Sequence, residues 1–135
     1  MRSVRGERGS ASVLILGLSI AVLVGFGLAV DGARKGQAYS QATSIAEEAA
    51  RAGGQALQVH ALAEGADADV DPGAAVAEAQ RYLVTAGATG TARWDGVRVV
   101  VETTITRPTV FLGAIGVPEF TVYGHGAAVV LSGNG

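Results

Sequence analysis

The feature that most constrains this chain is an uncharged apolar stretch, SASVLILGLSIAVLVGFGLAV, which runs from residue 10 to residue 30. A helix of these 21 residues is about 30 Å long, which matches the hydrocarbon core of a bilayer. Three arginines and one glutamate precede it, and basic residues on a short flank favour the cytoplasmic side. We therefore predict a cytoplasmic basic stub at 1–9, a single transmembrane helix at 10–30 in the cytoplasmic membrane, and an extracytoplasmic domain at 31–135.

A cleaved secretory signal is the alternative interpretation of this stretch, because such signals also combine a basic start with an apolar core. The apolar core of a signal is usually about 7 to 15 residues long, which is shorter than the stretch found here. Gly27-Leu28-Ala29 matches the small-x-small cleavage pattern only in part. We therefore favour a helix that is retained in the membrane.

Small residues recur at every fourth position of the apolar stretch, at Gly17, Ala21, Gly25 and Ala29. Such a stripe allows another helix to approach closely within a membrane. A chain with 20 glycines and many alanines also produces this spacing by chance. The stripe is our candidate helix-packing surface.

The composition of residues 31–135 excludes several classes of function. Seven Lys and Arg stand against eleven Asp and Glu, so the net charge is −4, and no basic cluster is present to bind nucleic acid. The chain has no cysteine, which excludes disulfides, thiolate metal sites and cysteine nucleophiles. A domain of about 100 residues without disulfides has a modest core, so we expect it to assemble with partner proteins.

The helical pattern continues past the apolar stretch, and we predict a helix over 31–63. Small apolar residues at steps of three and four form its predicted inner face, namely Ala38, Ala42, Ile45, Ala49, Ala52, Ala56, Val59 and Ala63. Gly53-Gly54 predicts a kink or a break, because each glycine in a helix interior costs about 1 kcal/mol relative to alanine.

An acidic loop is predicted over 64–73, followed by a second helix over 72–86 that begins at Asp71 and Pro72. The residues from 90 to 131 alternate in the manner of about three antiparallel strands. The fold class is therefore α+β, with a long N-terminal membrane-spanning helix, a short second helix and a small antiparallel sheet.

Three local features of the strand region predict particular structures. Asp95-Gly96 is typical of a hairpin turn, and Gly124 and Gly126 in the last strand predict a bulge or a close backbone contact. Trp94, beside the turn, either closes one end of the core or anchors a partner protein.

Several segments together resemble the TadE/TadG-like proteins, which are pseudopilin-like membrane components of tight-adherence (Flp, type IVc) pilus assembly. They are the basic stub ending in Arg8-Gly9-Ser10, the apolar helix, Val30-Asp31-Gly32-Ala33-Arg34, and an Ala/Glu/Gln helix ending near Glu47 to Gly53. The resemblance is best over residues 8 to 57. It implies a pilin-like component of a pilus or related secretion apparatus, with other pilins, pseudopilins and pilus-assembly membrane proteins as partners. None of the motifs that carry the resemblance is a catalytic fingerprint, and we expect no enzymatic activity and no cofactor.

Pilin-like members of this family resemble substrates of a prepilin peptidase, which cuts after a glycine before the apolar segment and favours glutamate at the fifth mature residue. The resemblance makes Gly9 and Ser10 the candidate processing site here. Leu14 then stands in the place of the glutamate. This departure favours a minor or uncleaved assembly component over a major filament subunit.

Four acidic residues imitate the spacing of a calcium-binding loop, namely Asp67, Asp69, Asp71 and Glu78. Pro72 stands where that loop needs glycine for its sharp turn, and Ala75 supplies no ligand. The alternatives are a weak calcium site and a solvated acidic loop in which Asp71 caps the second helix. A membrane-tethered or secreted binding domain is accordingly the alternative function.

The sequence contains no evident catalytic motif. His60 and His125 are the only histidines, and neither has a further ligand at metal spacing. The chain contains no Gly-x-Ser-x-Gly elbow, and no glycine-rich phosphate loop is evident. We therefore predict a structural and interaction protein, not an enzyme.

Overall fold

A computed structural model describes residues 5–64 and 71–129 of the chain. The elements in chain order are α1 (Arg5–Glu64), α2 (Pro72–Thr85), β1 (Thr89–Trp94), β2 (Arg98–Pro108), a 3₁₀ turn (Leu112–Ile115) and β3 (Glu119–Val129). The three strands form one antiparallel sheet in the order β1-β2-β3. The predicted α+β class, with a long apolar N-terminal helix, is confirmed. Most of the predicted acidic loop lies outside the described residues.

The three prolines stand at element boundaries. Pro72 opens α2, Pro108 is the last residue of β2, and Pro118 directly precedes β3. Proline has no N–H to donate, so it is tolerated in the first turn of a helix and at the ends of strands. The 60 residues of α1 contain no proline, and the helix is continuous.

Contacts divide the chain into two units. One contains Met1–Arg34 with Pro108–Phe120, and the other contains Lys35–Arg107 with Thr121–Gly135. The second unit holds the hydrophobic core, whose members are Ala46, Ala49, Ala50, Leu57, Ala75, Ala79, Leu83, Val99 and Val101. Trp94 is half-buried against this core, in the core-closing position that was one of its two interpretations.

The helix runs without interruption through Gly53-Gly54, where the sequence predicted a kink or a break. A Cβ at Gly53 would lie only 2.7 Å from the carbonyl oxygen of Ala75 in α2, and 3.2 Å from Val99. Gly53 therefore allows α2 and the sheet to pack directly on α1. This tertiary packing outweighs the low helix propensity of glycine.

The buried face of α1 differs from the predicted face. The buried residues are Ala38, Ala42, Ala46, Ala49, Ala50 and Leu57, whereas Val59 is 65% exposed. The reason is the close approach of β3, since a Cβ at Gly124 would overlap the Ala42 backbone and one at Gly126 would overlap the Ala46 backbone. Alanines make up most of this buried face, and Leu57 is the large side chain among them. The close backbone contact predicted for the two glycines is present.

Polar groups also connect β2 to α1. The buried hydroxyl of Thr103 donates to the carbonyl oxygen of Ala42 over 2.7 Å. Nearer the end of the strand, the Arg107 guanidinium donates to the Gln41 side chain over 3.2 Å. These bonds join residues more than sixty positions apart and fix the register of β2 on the helix.

The β1–β2 hairpin turns at Asp95-Gly96, as predicted, and Gly96 has a φ of 102° that favours glycine. The Asp95 carboxylate accepts hydrogen bonds from the Arg98 side chain over 2.8 Å and from the backbone N–H groups of Val97 and Arg98. The Arg98 side-chain bond and the two backbone bonds favour the charged carboxylate and lower the pKa of Asp95 to about 2.

Candidate functional site

The first component of the candidate site is the outer surface of α1 between residues 10 and 30. Twelve large apolar side chains on this segment are exposed by 43% to 72%, namely Val13, Leu14, Ile15, Leu16, Leu18, Ile20, Val22, Leu23, Val24, Phe26, Leu28 and Val30. Among the described residues, α1 is the one helix that is long and apolar enough to cross a membrane. Exposed apolar surface of this extent marks contact with lipid or with other proteins.

The predicted packing residues lie on this surface. Gly17, Ala21, Gly25 and Ala29 are all exposed. A Cβ at Gly17 or at Gly25 would meet no atom of the chain within 4 Å. The stripe is thus open to a neighbouring helix, although the structure itself does not supply one.

The second component is Asp31, the first ionisable residue after the apolar stretch. The backbone N–H groups of Val110, Phe111 and Leu112 donate to its carboxylate over 2.8, 2.9 and 2.8 Å. The Asp31 side chain is almost completely buried by this arrangement, and the residue is 2% exposed. One carboxylate therefore holds the start of the loop 109–118 on α1.

The electrostatics of this contact favour a charged carboxylate. The backbone hydrogen bonds from Val110 and Leu112, and then that from Phe111, lower the pKa of Asp31, while burial opposes them. Arg34, one turn further along α1, adds a smaller effect in the same direction. A group that stays ionised keeps all its lone pairs available as acceptors, which is what three converging donors require.

An apolar contact lies one helical turn before Asp31. Gly27 is buried, and a Cβ at this position would overlap the ring of Phe111. The loop 109–118 is itself closed by two bonds from Thr109, whose N–H donates to Pro118 and whose hydroxyl donates to Val117. Gly27 and Asp31 together form a seat for this loop on one face of α1.

The sequence did not identify Asp31 or Gly27 as site residues. Asp31 is the first charge after 21 uncharged residues and belongs to a segment that carries the family resemblance, but neither observation assigned it a role. Gly27 entered the reasoning only within an alternative cleavage pattern. No local pattern at either residue predicts a contact with a segment about 80 positions away in the sequence.

The candidate processing residues lie near the start of α1. Gly9 and Ser10 are both helical and exposed, and Leu14 is 69% exposed on the same segment. A Cβ added at Gly9 would meet no atom within 4 Å, so the surface of α1 at this residue is open. Processing by a peptidase stays a prediction.

The described calcium candidates have partners within the chain. Asp71 is the N-cap of α2 and accepts from the Gly73 N–H over 2.8 Å, as the capping alternative predicted. Glu78 accepts from the Arg81 guanidinium over 2.6 Å on the surface of α2. Asp67 and Asp69 lie outside the described residues. In the two described ranges, no three His, Asp or Glu side chains converge as metal ligands, and calcium binding stays a prediction.

The two histidines lie apart on exposed surface. His60 is near the end of α1, and His125 is on β3, where it borders a shallow groove with Glu102 and Tyr123. Among the described residues, neither histidine belongs to a cluster of three His, Asp or Glu side chains that could hold a metal ion.

One known family matches the segment that contains the apolar stretch, Gly27, Asp31 and the first part of the Ala-rich helix. Residues 9–56 match the family model "Putative Flp pilus-assembly TadE/G-like". This segment is TadE/G-like. The match confirms the resemblance predicted over residues 8 to 57, and it covers both Gly27 and Asp31. Searches of curated proteins and of solved structures found no match.

The similarity over residues 9–56 associates this segment with Flp pilus assembly. The family is a structural component of pilus assembly and is not known as an enzyme. The long apolar N-terminal helix of this chain indicates membrane anchoring, and the Flp pilus system is associated with the cell envelope. Partners are therefore expected among the other components of that system.

Proposed function

We propose that this chain is a membrane-anchored minor pseudopilin of a tight-adherence (Flp) pilus assembly or a related secretion apparatus. The observation that carries the proposal is the outward-facing apolar surface of residues 10–30, within a segment that matches the TadE/G-like family. A helix with this surface requires lipid or apolar protein around it. The rest of the chain then serves as an exported domain that contacts other pilus components.

The proposed topology places residues 1–9 in the cytoplasm and residues 31–135 outside the cytoplasmic membrane. Its support is the group of arginines before the apolar stretch, because basic residues favour the cytoplasmic side of a membrane helix.

The proposed mechanism is lateral packing of α1 against the helix of a neighbouring pilin or pseudopilin. In lipid, helices associate through close van der Waals contact, which small residues at four-residue spacing allow. Gly17 and Gly25 are two members of a stripe with that spacing, and both are open on the outer surface of α1. Ala21 and Ala29 continue the same stripe.

Substitution of the stripe glycines tests this mechanism. Gly17→Leu and Gly25→Leu should each reduce the amount of other pilus-assembly proteins that co-purify with the chain from its native membranes. Ser19→Leu is the matched control, because Ser19 lies on the opposite side of the same helical segment and is also exposed. Co-purification that is unchanged in the glycine variants, or reduced equally in all three, would contradict the packing mechanism.

The mass of the mature chain tests the assignment as an unprocessed minor component. Because Leu14 replaces the expected glutamate, we expect the protein from native membranes to retain residues before Ser10. A chain that begins at Ser10 would instead show cleavage by a prepilin peptidase and a pseudopilin able to enter a filament. A chain that begins near Val30 would overturn the membrane anchor itself.

A further inference from the structure

We propose that the loop 109–118 is a second membrane contact, which inserts into the interfacial region of the bilayer where α1 leaves it. The loop sequence, TVFLGAIGVP, contains no charged residue. Four of its large apolar side chains are exposed in part, by 57% for Val110, 39% for Phe111, 74% for Ile115 and 45% for Val117. A loop in water ordinarily exposes polar groups, so this surface needs an apolar environment.

The position of the loop identifies lipid as that environment. Phe111 covers Gly27, which is four residues before Asp31 and therefore about 6 Å inside the end of the apolar stretch along the helix axis. The exposed side chains of the loop thus continue the exposed apolar surface of residues 10–30. If that surface contacts acyl chains, the loop seated on its last turn lies at the membrane interface.

Most backbone N–H groups of the loop donate hydrogen bonds within the chain, so the loop can lie where little water is present. The acyl chains of a bilayer do not accept hydrogen bonds, so a segment that reaches them must satisfy its own N–H groups. At least seven of the nine backbone N–H groups in the loop donate to acceptors within the chain, three of them to Asp31. Asp31 therefore acts as a positioning residue that makes the loop compatible with the interface.

This second contact has a mechanical consequence for α1. A single membrane-spanning helix can rotate about its own axis, whereas the loop is attached to one face only, at Gly27 and Asp31. Insertion of the loop would fix which face of α1 points along the bilayer plane toward a neighbour. The contact would hold whether or not the chain is part of a pilus.

Nitroxide labels on single cysteines test the proposal, and the chain offers a clean background because it has no cysteine. The full chain, in phosphatidylcholine vesicles, carries one label per variant, at Ile115→Cys in the loop, Leu18→Cys in the span or Tyr123→Cys on β3. The three positions are similarly exposed, at 74%, 62% and 69%. Collisions with oxygen, which concentrates in lipid, are compared with collisions with a water-soluble nickel chelate.

We expect the Ile115→Cys label to collide more with oxygen than with nickel, as the Leu18→Cys label does, and the Tyr123→Cys label to show the reverse. A loop label that favours nickel while the Leu18→Cys label favours oxygen would overturn the second contact and leave the membrane anchor intact. A loop label shielded from both reagents would also overturn it, because protein would then cover the loop.

The role of Asp31 has its own test. Asp31→Asn replaces one acceptor oxygen with an amide donor, so the loop should loosen and the Ile115→Cys label should gain nickel collisions. Asp95→Asn is the matched control, because Asp95 caps a turn outside this loop. No change with Asp31→Asn, or equal change with both variants, would contradict the positioning role.

Discussion

Replacement of glycine by alanine should have opposite effects at two places in this chain. At Gly126 on β3, the added Cβ would overlap the backbone of Ala46 in α1, so the strand and the helix must separate. At Gly36 on the exposed surface of α1, the added Cβ would meet no atom within 4 Å. The two substitutions are chemically identical and differ only in what surrounds them.

The expected magnitudes follow from these surroundings. Overpacking of a well-packed interior costs about 1–3 kcal/mol, and rigid backbone on both sides places Gly126→Ala at the upper end of that range. Gly36→Ala should raise the free energy of unfolding by up to about 1 kcal/mol, because alanine is the better helix former. For a domain of about 100 residues, each 1 kcal/mol shifts the melting temperature by roughly 4–8 °C.

Thermal unfolding of the full chain in detergent micelles measures both effects. The fluorescence of Trp94, the single tryptophan, reports on the core because its side chain packs against it. Gly124→Ala should behave like Gly126→Ala, since its Cβ would overlap the Ala42 backbone. A Gly126→Ala variant that melts at or above the wild-type temperature would refute the close helix–strand contact.

Three further measurements test other parts of the described fold. Thr103→Val removes the buried hydrogen bond to Ala42 and should lower the free energy of unfolding by about 1 kcal/mol, measured by urea titration; no loss would contradict the bond. Because the folded pKa of Asp95 is lowered to about 2, its contribution is present above the unfolded value near pH 4 and is lost as the pH falls toward 2. The melting temperatures of wild type and Asp95→Asn should therefore converge over that window, and a constant difference would contradict the assignment. Millimolar calcium should leave the melting temperature unchanged, and an increase would instead support a calcium site in the acidic segment 64–73.

Patterns that extend over many residues were readable from the sequence. The apolar stretch, the long helix and the alternation of the strands each repeat the same signal over ten or more positions. Asp71 with Pro72 and Asp95 with Gly96 were readable because capping and turn chemistry act between close neighbours in the chain. The α+β class follows from these local signals together.

Contacts between distant residues were not readable in the same way. The inner face of α1 was predicted from apolar residues at steps of three and four, and that spacing included Val59. The actual face consists mostly of alanines, together with Leu57, and Gly124 and Gly126 bring the backbone of β3 against Ala42 and Ala46. The contact between Asp31 and the loop has the same character, since no short pattern links residues about 80 positions apart.

The helix α1 therefore depends on small residues in two different media. In the part of α1 that follows residue 30, alanine contributes little buried area, so the close approach of two backbones must supply dispersion contacts instead. In the apolar part, lipid is as apolar as leucine, and association of helices depends on the same close approach. The proposed packing at Gly17 and Gly25 is thus the membrane counterpart of the contact at Gly124 and Gly126. Because both rely on shape more than on apolar area, substitutions that add apolar atoms should weaken both.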